Sequence, residues 1–433
     1  MKLNILLVNP WIYDFAAYNF WVRPLGLLKV AEYLSAFDTR LTFIDCTDAS
    51  SNKRFGTGKF RAETVEKPEI LRCVPRLYKR YGISIDEFKR RVEDARPFDI
   101  VLMTSAMGYW YPGVRKTIEV LRDIAGDVPV VLGGIYATLY HEHASQYSGA
   151  DFIYRGSLRE SITFVFSTFG FRLKWKGMGN PYYRLGLYET HPYAPLLTTK
   201  GCPFRCTYCA SGILTGVFMK RKPEEVLREI TDLHSLGVRD FAFYDDALLV
   251  DSGDHIKPIL RDVHALGLHV RFHTPNGLHA RLIDEELAHL MKETHFSTIR
   301  LSLETAYEQR QEATGGKVHK RDVACAVSHL KGHNIPGRDI GVYLMYGLPD
   351  QGITEVKEGV RFLKILGVRV HLTEFSPIRG TGSWDELVRR GIIDDDLDPL
   401  CTNNTVYSYL YSGYDQEELD EVRLEVKKYN ASV

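Results

Sequence analysis

The chain has 433 residues, and its 55 basic and 55 acidic side chains give a formal net charge of zero. This balance provides no overall field to attract nucleic acid or an anionic membrane, and it favours a small-molecule substrate. Two or three compact units are expected from the length. Because no apolar stretch approaches the roughly 20 residues that cross a bilayer, and the opening MKLNILLVNP is interrupted at Pro10, we expect a cytoplasmic protein without a membrane span.

The first part of the chain alternates between strand and helix patterns. Continuous apolar runs at 2–8 and 41–44 flank a stretch with helical spacing at 24–37, which predicts a β-α-β unit. The alternation continues with three further strands and two helices, at 99–105, 112–125, 128–134, 137–147 and 151–154. Strands that are apolar throughout are typical of a parallel sheet covered on both faces. Residues 1–165 are therefore predicted to form a doubly wound, Rossmann-like α/β domain.

Two segments of this region interrupt the alternation. Residues 50–97 are predicted to be an insertion, because they are too many for an ordinary loop, and they carry 13 basic and 7 acidic side chains. The basic side chains indicate either a clamp for an anionic group or, in the more ordinary interpretation, the solvated face of a helix. Residues 166–193, which contain Gly177, Gly179 and Gly186, are predicted to be a linker.

A second alternation occupies residues 194–383. Its six strand patterns lie at 194–199, 241–246, 269–274, 298–304, 340–347 and 368–375, with helical patterns between them. Six β-α units cannot close an eight-stranded ring, so an open, partial (β/α)6 barrel of the TIM type is predicted, with its site at the carboxyl ends of the strands. Residues 384–433 are predicted to form a short helical C-terminal region.

Three of the seven cysteines lie close together, in TTKGCPFRCTYCA (198–210), directly after the first barrel strand. In a reducing compartment this pattern indicates a metal site rather than a set of disulfides. Thiolates suit iron-sulfur clusters and zinc, and the spacing of Cys202, Cys206 and Cys209 lets one loop hold three corners of a cubane.

The loop contains no fourth cysteine, and this distinguishes the two kinds of metal site. A structural zinc site needs four ligands, so zinc would require a histidine such as His234 or His273 to reach the loop. A catalytic cluster requires the opposite, because one iron must stay free to bind a substrate or cofactor. The open set of three favours the cluster.

GCPFRCTYC resembles the signature of the radical S-adenosylmethionine (SAM) superfamily, C-x3-C-x-aromatic-C, with Tyr208 at the aromatic position. The resemblance implies a 4Fe-4S cluster held by Cys202, Cys206 and Cys209. It also implies that the free iron binds SAM, and that one electron cleaves SAM to a 5′-deoxyadenosyl radical. Tyr208 would then pack beside the cluster and offer backbone contacts to adenine.

Further strand ends resemble the SAM-binding elements of the same superfamily. Asp245 and Asp246, in YDDALL, stand where the methionine amino group is held, and a carboxylate there can accept hydrogen bonds from an ammonium; either residue could equally be a helix N-cap. Ser302 and Glu304, in LSLE, share one strand face and match the ribose position. Gly347, in YLMYGLPDQ, matches the adenine side.

Histidines are frequent between residues 251 and 300. Most are expected on helix surfaces. His269 and His273 are the exceptions, because both lie on the predicted third barrel strand and share a face. They are the candidate catalytic bases.

The first domain resembles the cobalamin-binding (B12-binding) domain that precedes the barrel in one subgroup of radical SAM enzymes. Ser105 and Met107, after the third strand, match its S-x-L element, and Gly133 and Gly134 match its paired glycines. Ligands of doubly wound sheets lie at this edge, and glycine allows close approach. RGSLRE (155–160) departs from the subgroup's glycine-glutamate text.

The loop after the first strand, NPWIYDFAAYNFW, contains no histidine that could ligate cobalt from below. Members of the subgroup commonly lack it, so the resemblance still implies cobalamin. The aromatic side chains of this loop either face the cofactor or form an apolar cover over the sheet edge. They are Trp11, Tyr13, Phe15, Tyr18 and Trp21.

The resemblance implies a cobalamin-dependent methyltransferase that acts on an unactivated carbon of a small molecule, with flavodoxin or ferredoxin as electron donor. One alternative keeps the radical chemistry for a rearrangement, cyclisation or dehydrogenation with a cofactor-free first domain. Another is a noncatalytic metal or corrinoid carrier. Methylthiolation is disfavoured, because no RNA-binding module is seen and the remaining cysteines are too dispersed for a second cluster. They are Cys46, Cys73, Cys325 and Cys401.

Overall fold

The computed structural model describes residues 2–48, 56, 58–156, 158–179 and 186–433, and the side chains of 158–160 lie outside the description. The chain divides into two compact units. Unit 1 comprises Met1–His191 together with Leu397–Asn403. Unit 2 comprises Pro192–Asp396 together with Asn404–Val433.

Unit 1 contains a parallel sheet with helices on both faces. The strands of this unit are β1 (Leu3–Asn9), β2 (Ile12–Asp14), β3 (Thr39–Asp45), β4 (Ala62–Thr64), β5 (Lys79–Tyr81), β6 (Ile100–Met103), β7 (Val130–Leu132) and β8 (Phe152–Ile153). Its α-helices are α1 (Leu25–Leu34), α2 (Ile85–Asp94), α3 (Tyr111–Ala125), α4 (Ile135–Leu139), α5 (His141–Tyr147) and α6 (Leu158–Thr168). In the described part of the unit, the parallel strands are ordered β3-β1-β6-β7-β8.

The alternation of β1 side chains shows why helices are needed on both faces of this sheet. Leu6 and Val8 are fully buried in a core to which α2 and α3 contribute. Ile5 and Leu7 point the other way, into a core shared with α1 and α6. Because consecutive side chains of a strand face opposite sides, both faces of β1 are covered, and the predicted doubly wound fold is confirmed.

The predicted insertion 50–97 is partly integral to this fold. Its helix α2 buries Phe88 and Val92 in the core beneath the sheet, so α2 is the helix that connects β3 with β6. Strand β5 pairs with both β2 and β4 in a small antiparallel sheet ordered β2-β5-β4. Residues 50–55 and 57 of the predicted insertion lie outside the described residues.

Several basic side chains of this segment pair with acids within it. Arg90 and Arg91 each contact Glu87 on α2, at 2.8 and 2.7 Å, as expected for a solvated helical face. The buried Arg80 contacts Glu63 across the small sheet, at 2.5 Å. These three arginines therefore have local structural partners.

Unit 2 contains the second sheet. Its strands are β9 (Tyr193–Leu196), β10 (Thr199–Lys200), β11 (Met219–Lys220), β12 (Asp240–Phe243), β13 (Arg271–His273), β14 (Phe296–Glu304), β15 (Ile340–Tyr346) and β16 (Arg369–Glu374). Its α-helices are α7 (Ser211–Thr215), α8 (Pro223–Ser235), α9 (Ile256–Ala265), α10 (Glu285–Glu293), α11 (Glu308–Ala313), α12 (Lys320–Gly332), α13 (Ile353–Ile365), α14 (Gly382–Arg389), α15 (Asn404–Leu410) and α16 (Gln416–Ser432).

Six strands of unit 2 are parallel and follow the chain order, β9-β12-β13-β14-β15-β16, within the residues that the structure describes. This order confirms the predicted partial barrel. Several strands are shorter than predicted, and two of these differences change the context of predicted site residues. The first ends at Leu196, and Thr199–Lys200 instead pair antiparallel with β11. The third begins only at Arg271, so His269 precedes it and is exposed.

The C-terminal region is helical, as predicted. Helix α16 covers the edge strand β16, where the Asn430 side chain donates to Val370 O (2.7 Å) and accepts from Val370 N (2.9 Å). Residues 397–403 instead belong to unit 1: Asp398 accepts a hydrogen bond from the Tyr111 hydroxyl (3.3 Å), and Asn403 donates to Asp14 (3.0 Å). The sequence pattern contains no signal for this excursion.

Among the described helices, none combines the length and the apolar content that a membrane crossing requires.

Candidate cofactor site

The three clustered cysteines lie in the loop at 201–218, here called the cysteine loop. Strands β10 and β11 pair immediately before and after it and hold its two ends together. Gly201 has φ +76°, and a Cβ on it would lie 3.0 Å from Gly216 O and 3.1 Å from Val217 O. The close return of the chain therefore requires glycine next to Cys202.

All three cysteines line one cavity of about 310 Å³ at the carboxyl ends of the barrel strands. The other lining residues come from the cysteine loop itself and from five further parts of unit 2. They are Phe204, Tyr208, Ser211, Asp246, Pro275, Asn276, Gly277, His279, Ser302, Lys317 and Tyr343. Thiols and polar side chains thus share a single space, which has the composition of a cofactor site.

The electrostatics of this cavity depend on one partly buried cation, the Lys317 ammonium. Burial raises the pKa of all three cysteine thiols, and the Lys317 ammonium acts in the opposite direction on each. Lys317 Nζ lies 3.3 Å from Ser302 Oγ and 3.8 Å from Glu304 Oε1. A partly buried positive charge favours thiolates, which are the metal-binding form of cysteine.

The donor set fits a cluster better than a single ion. No group of three or more His, Cys, Asp or Glu side chains in the described residues converges on one metal position. Thiolates that hold three corners of a cubane are farther apart than ligands of one zinc ion. His273 and His234, the histidines suggested for zinc, are not on the cavity wall. His279 is on it, but within the described residues it does not converge with the cysteines on one metal position.

Two neighbouring elements anchor the cysteine loop through Thr207. Its N–H donates to Thr314 O (3.2 Å), and its carbonyl accepts from Ser383 N (2.8 Å). Gly315, with φ +115°, follows Thr314, and a Cβ on it would lie 3.0 Å from Arg205 O and 3.1 Å from the Cys206 Cα. The position of Cys206 is therefore fixed by the loop after α11.

The two aspartates at the end of β12 have different surroundings. Asp246 lines the cavity and accepts a hydrogen bond from Ser211 Oγ (2.5 Å). Asp245 is fully buried, and its Oδ1 accepts from the backbone and hydroxyl groups of Thr198 and Thr199. Asp246 is thus available to a ligand, whereas Asp245 holds the chain that enters the cysteine loop.

The end of β14 brings Ser302 and Glu304 to the cavity region. Ser302 lines the cavity, and a Cβ on Gly277 would collide with its hydroxyl. Glu304 has φ +64°, a left-handed conformation that is rare outside glycine. Such conformations are concentrated at functional sites, and this one directs the Glu304 carboxylate toward Lys317.

Tyr208 and Gly347 differ in their relation to the cavity. Tyr208 lines it and is hydrogen-bonded to Cys206, and burial raises its pKa. Gly347 has φ +87°, and its N–H donates to the Tyr414 hydroxyl (3.1 Å). Gly347 is not on the wall of this cavity.

The two candidate histidines lie apart from the cavity. His273 is buried, with Nδ1 3.1 Å from Thr298 Oγ1 and Nε2 2.9 Å from Asp240 Oδ1, while His269 is exposed. The histidine on the cavity wall is His279, whose ring lies 4.4 Å from that of Phe204. Sequence reasoning missed His279 and Lys317, since both lie on loops without periodicity.

In unit 1, the predicted cobalamin residues meet at the carboxyl ends of β6 and β7. Ser105 Oγ donates to Gly133 O (2.6 Å), and Ser105 O accepts from Ile135 N (2.8 Å). Gly134 has φ +98°, and a Cβ on it would collide with the Ser105 backbone, whereas a Cβ on Gly133 would meet nothing within 4 Å. Met107 is 44% exposed. This edge of the sheet therefore offers the Gly133 backbone, which no protein atom crowds, and the accessible Met107 thioether.

The aromatic loop after β1 forms an apolar cover. Trp11, Phe15 and Trp21 are buried, and Trp11 Nε1 donates to Ile83 O (2.8 Å). Tyr13 packs against the same core, while Tyr18 is 40% exposed. The aromatic residues therefore pack mainly within unit 1.

Comparison with known families finds a match in each of the two units. Residues 196–363 match the family described as the radical SAM superfamily. This part of the chain is a radical SAM domain. Residues 78–163 match the B12 binding domain, so a B12-binding domain precedes the radical SAM domain in the chain. The cofactors of the protein are a 4Fe-4S cluster, SAM and cobalamin.

Curated relatives of this radical SAM protein match part of the chain. It is 25% identical over 205 residues to "Uncharacterized methyltransferase PH0819" of Pyrococcus horikoshii, an alignment that covers 47% of this chain and 43% of the relative. It is 27% identical over 184 residues to the ribosomal protein uS12 methylthiotransferase RimO of Phocaeicola vulgatus, covering 40% and 41%. The chain thus spans less than half the length of these relatives.

Solved structures match over more of the chain. The radical SAM methyltransferase TsrM from Kitasatospora setae, with tryptophan substrate and a SAM analogue bound, superposes with a TM-score of 0.64 at 15% identity, covering 90% of this chain and 76% of that one. Apo OxsB, a cobalamin-dependent SAM radical enzyme, gives 0.62 at 12% identity, covering 93% and 64%. These likenesses establish the shared fold.

Proposed function

We propose that this radical SAM protein is a cobalamin-dependent methyltransferase that acts on an unactivated carbon of a small molecule. The observation that carries the proposal is the combination in one chain of a B12 binding domain with a barrel whose cavity is lined by Cys202, Cys206 and Cys209. The names of PH0819 and TsrM, both methyltransferases, support it.

Cys202, Cys206 and Cys209 hold the cluster in this proposal, and the polar wall of the same cavity holds SAM. Asp246 accepts hydrogen bonds from the methionine ammonium, while Ser302 and Glu304 bind the ribose. When bound, the cluster supplies the electron that cleaves SAM, and cobalamin supplies the methyl group. Tyr208 hydrogen-bonds to Cys206 and shields that thiolate from water.

Cobalamin is held by the carboxyl edge of the unit 1 sheet. Gly133 leaves open backbone for the nucleotide tail, Ser105 fixes the turn that presents it, and Met107 offers an exposed side chain. The loop after β1 contains no histidine, and its Trp11 is buried. The proposal therefore predicts cobalamin bound without a histidine ligand from this loop.

A flavodoxin or ferredoxin supplies the electron in this proposal. Residues 196–222 contain no acidic side chain, and Lys200, Arg205 and Lys222 are exposed there. Apolar side chains are exposed beside them on the cysteine loop and β11: Ile213 by 46%, Val217 by 81% and Met219 by 58%. Flavodoxins and ferredoxins are acidic, so this surface complements them.

Anaerobic reconstitution with iron, sulfide and cobalamin tests the function. With a reductant and SAM, the protein should form S-adenosylhomocysteine together with 5′-deoxyadenosine in the presence of its substrate. Deoxyadenosine without S-adenosylhomocysteine would instead support a rearrangement, cyclisation or dehydrogenation. Cofactor binding with neither product would support a carrier.

Replacing one thiol tests the site. Cys206→Ala should abolish both products, because a cluster held by two thiolates is not retained. Cys325→Ala provides the control, since Cys325 is exposed on α12 and distant in sequence from the loop. SAM cleavage at the wild-type rate by Cys206→Ala would contradict the proposed cluster site.

A further inference from the structure

The inner face of the last three barrel strands carries a set of basic side chains beside the cavity. Arg300 on β14 pairs in register with Gly341 on β15 and Arg369 on β16, and the next row on that face is Ser302, Tyr343 and His371. Ser302 and Tyr343 line the cavity. The side chains of both rows therefore share the face of the cavity wall. Three of them are basic, namely Arg300, Arg369 and His371, and are here called the basic row.

A glycine lets two members of the basic row converge. A Cβ on Gly341 would lie 2.8 Å from Arg300 Nη1 and 2.6 Å from His371 Nε2. A guanidinium and an imidazole thus occupy the space over one glycine. Glycine within a strand often marks a position that another group must approach closely. The Tyr343 ring, 5.8 Å from that of His371, links this point to the cavity.

The two guanidiniums of the basic row have no ion-pair partner in the described part of the chain. Among the described residues, no carboxylate oxygen lies within 4.0 Å of Arg300 or Arg369, whereas Arg271 and Arg423 each have one at 2.6–2.7 Å. Within the described residues, Arg369 Nε and His371 Nε2 are buried and have no hydrogen-bond partner. Unpaired buried charges are costly, which indicates a missing counter-ion.

The pKa values of Arg300 and His371 agree with a missing counter-ion. Burial lowers the pKa of Arg300, and the nearby Arg369 acts in the same direction. Burial and both arginines lower the pKa of His371 to about 3. Tyr343 and the more distant Asp339 act on Arg300 in the opposite direction. Without a carboxylate in ion-pair contact, the Arg300 and Arg369 guanidiniums still repel each other, and a bound anion would relieve that repulsion.

We propose that the basic row binds an oxyanion of the substrate, so that the substrate of the methyl transfer proposed above is a small molecule bearing a carboxylate or a phosphate. The planar fork of an arginine matches either group with two parallel hydrogen bonds. His371 Nε2 adds a contact over Gly341. The anion lies on the barrel wall beside Tyr343, and the rest of the substrate extends into the cavity.

Histidine NMR of the holoenzyme tests this proposal. Protein labelled with ¹⁵N-histidine and loaded with cluster, cobalamin and SAM is titrated with sodium acetate, sodium phosphate or neutral acetamide at constant ionic strength, with His371 assigned through His371→Gln. Acetate or phosphate should shift the His371 signal saturably, and acetamide should not. The anion that binds more tightly identifies the substrate's group.

Matched variants show whether the guanidinium is responsible. Arg300→Met should weaken anion binding at least about tenfold, since it removes a charge-assisted pair. Arg389→Met, on the solvent face of α14, should bind as the wild type does. If Arg300→Met does not fold, Arg369→Met provides the same test. The absence of a saturable shift with either anion, or unchanged affinity in the variant, would overturn the proposal.

The proposed function is measured separately in the same preparations. If the protein binds the anion but makes no S-adenosylhomocysteine, the oxyanion site is supported and the proposed methyltransferase activity is contradicted. If the protein methylates its substrate but binds neither acetate nor phosphate, only the proposed oxyanion site is contradicted.

Discussion

A chain of three buried residues fixes the entry to the cysteine loop. His255 Nε2 lies 3.0 Å from Thr198 Oγ1, and that hydroxyl donates to Asp245 Oδ1 at 2.8 Å. Because the hydroxyl hydrogen is engaged with Asp245, the network assigns the His255 proton to Nε2. Both His255 and Thr198 are fully buried. Burial, with a smaller contribution from Lys220, lowers the pKa of His255 to about 4.

This buried histidine predicts acid sensitivity. Between about pH 6.5 and pH 4 the unfolded chain binds a proton on His255 that the folded chain does not, so stability falls as the pH falls through this window. The contribution of His255 to this loss should be about 2 kcal/mol between pH 7 and pH 5. Urea unfolding at both pH values measures it.

His255→Gln keeps a donor for Thr198 but cannot be protonated, so it should reduce the difference in unfolding free energy between the two pH values. His264→Gln, exposed on α9, should leave that difference as in the wild type. An equal pH dependence in wild type and His255→Gln would show that another group is responsible.

At the residue scale, the cysteine motif can be predicted from sequence because all its members lie within eight positions. The three cysteines do line one cavity, and their role as ligands stays a prediction. Lys317 and His279 could not be predicted, since they are 108 and 70 positions beyond Cys209 and no periodic pattern marks them. The two glycines of TGG, directly before Lys317, were the available signal of a close contact there. Gly315 permits the close approach to Arg205 and Cys206.

At the element scale, the cysteine loop depends on the turn after α11. Gly315→Ala should reduce cluster content, because a Cβ there would press on Arg205 O and the Cys206 Cα as well as strain the left-handed backbone. Iron and sulfide per chain after reconstitution measure the effect.

Gly391→Ala is the matched control for backbone strain. Gly391 also has positive φ, +65°, but a Cβ on it would meet nothing within 4 Å. It should lose on the order of 1 kcal/mol of stability and retain a full cluster. Equal cluster content in both variants would mean that the contact with the loop is unimportant.

The exposed surface of the cysteine loop makes a prediction about electron transfer. Lys200→Glu combined with Lys222→Glu should slow cluster reduction by flavodoxin hydroquinone and weaken its dependence on salt, because the charges steer an acidic partner. Reduction by dithionite, a small reductant, should be much less affected. Stopped-flow absorbance measures both rates, and equal slowing with the two reductants would argue against a docking surface.

The long apolar strands of both sheets were predictable because each buries a continuous or alternating pattern. Strands β2, β4 and β5 were not, since three residues are too few to show a period. Helix α2 fell within the predicted insertion because residues 50–97 are too many for an ordinary loop. Charged residues dominate the helix, and only Phe88 and Val92 are fully buried in the core, so its apolar face is weakly marked.

At the scale of the whole molecule, the 4Fe-4S cluster and cobalamin are proposed to bind to different units. Gly133→Ala should lower cobalamin affinity without loss of iron, because its Cβ enters space that is free of protein atoms. Gly26→Ala, also without steric neighbours and in the same unit, should bind cobalamin normally. Cobalamin absorbance and iron content measure both.

Cys206→Ala should show the converse, with cobalamin retained and the cluster lost. Loss of cobalamin from Cys206→Ala would mean that the two sites are coupled, and retention of full cobalamin affinity by Gly133→Ala would place the nucleotide tail elsewhere.

The return of residues 397–403 to unit 1 has a consequence for dissecting the protein. The covalent chain passes between the units three times, at 191–192, 396–397 and 403–404, so no single cut yields two complete units. A fragment ending near residue 191 would leave the Asp14 carboxylate without Asn403 and the Tyr111 hydroxyl without Asp398. The cobalamin-binding unit would therefore have to be supplied with a peptide covering 397–403, as in fragment complementation, to be studied in isolation.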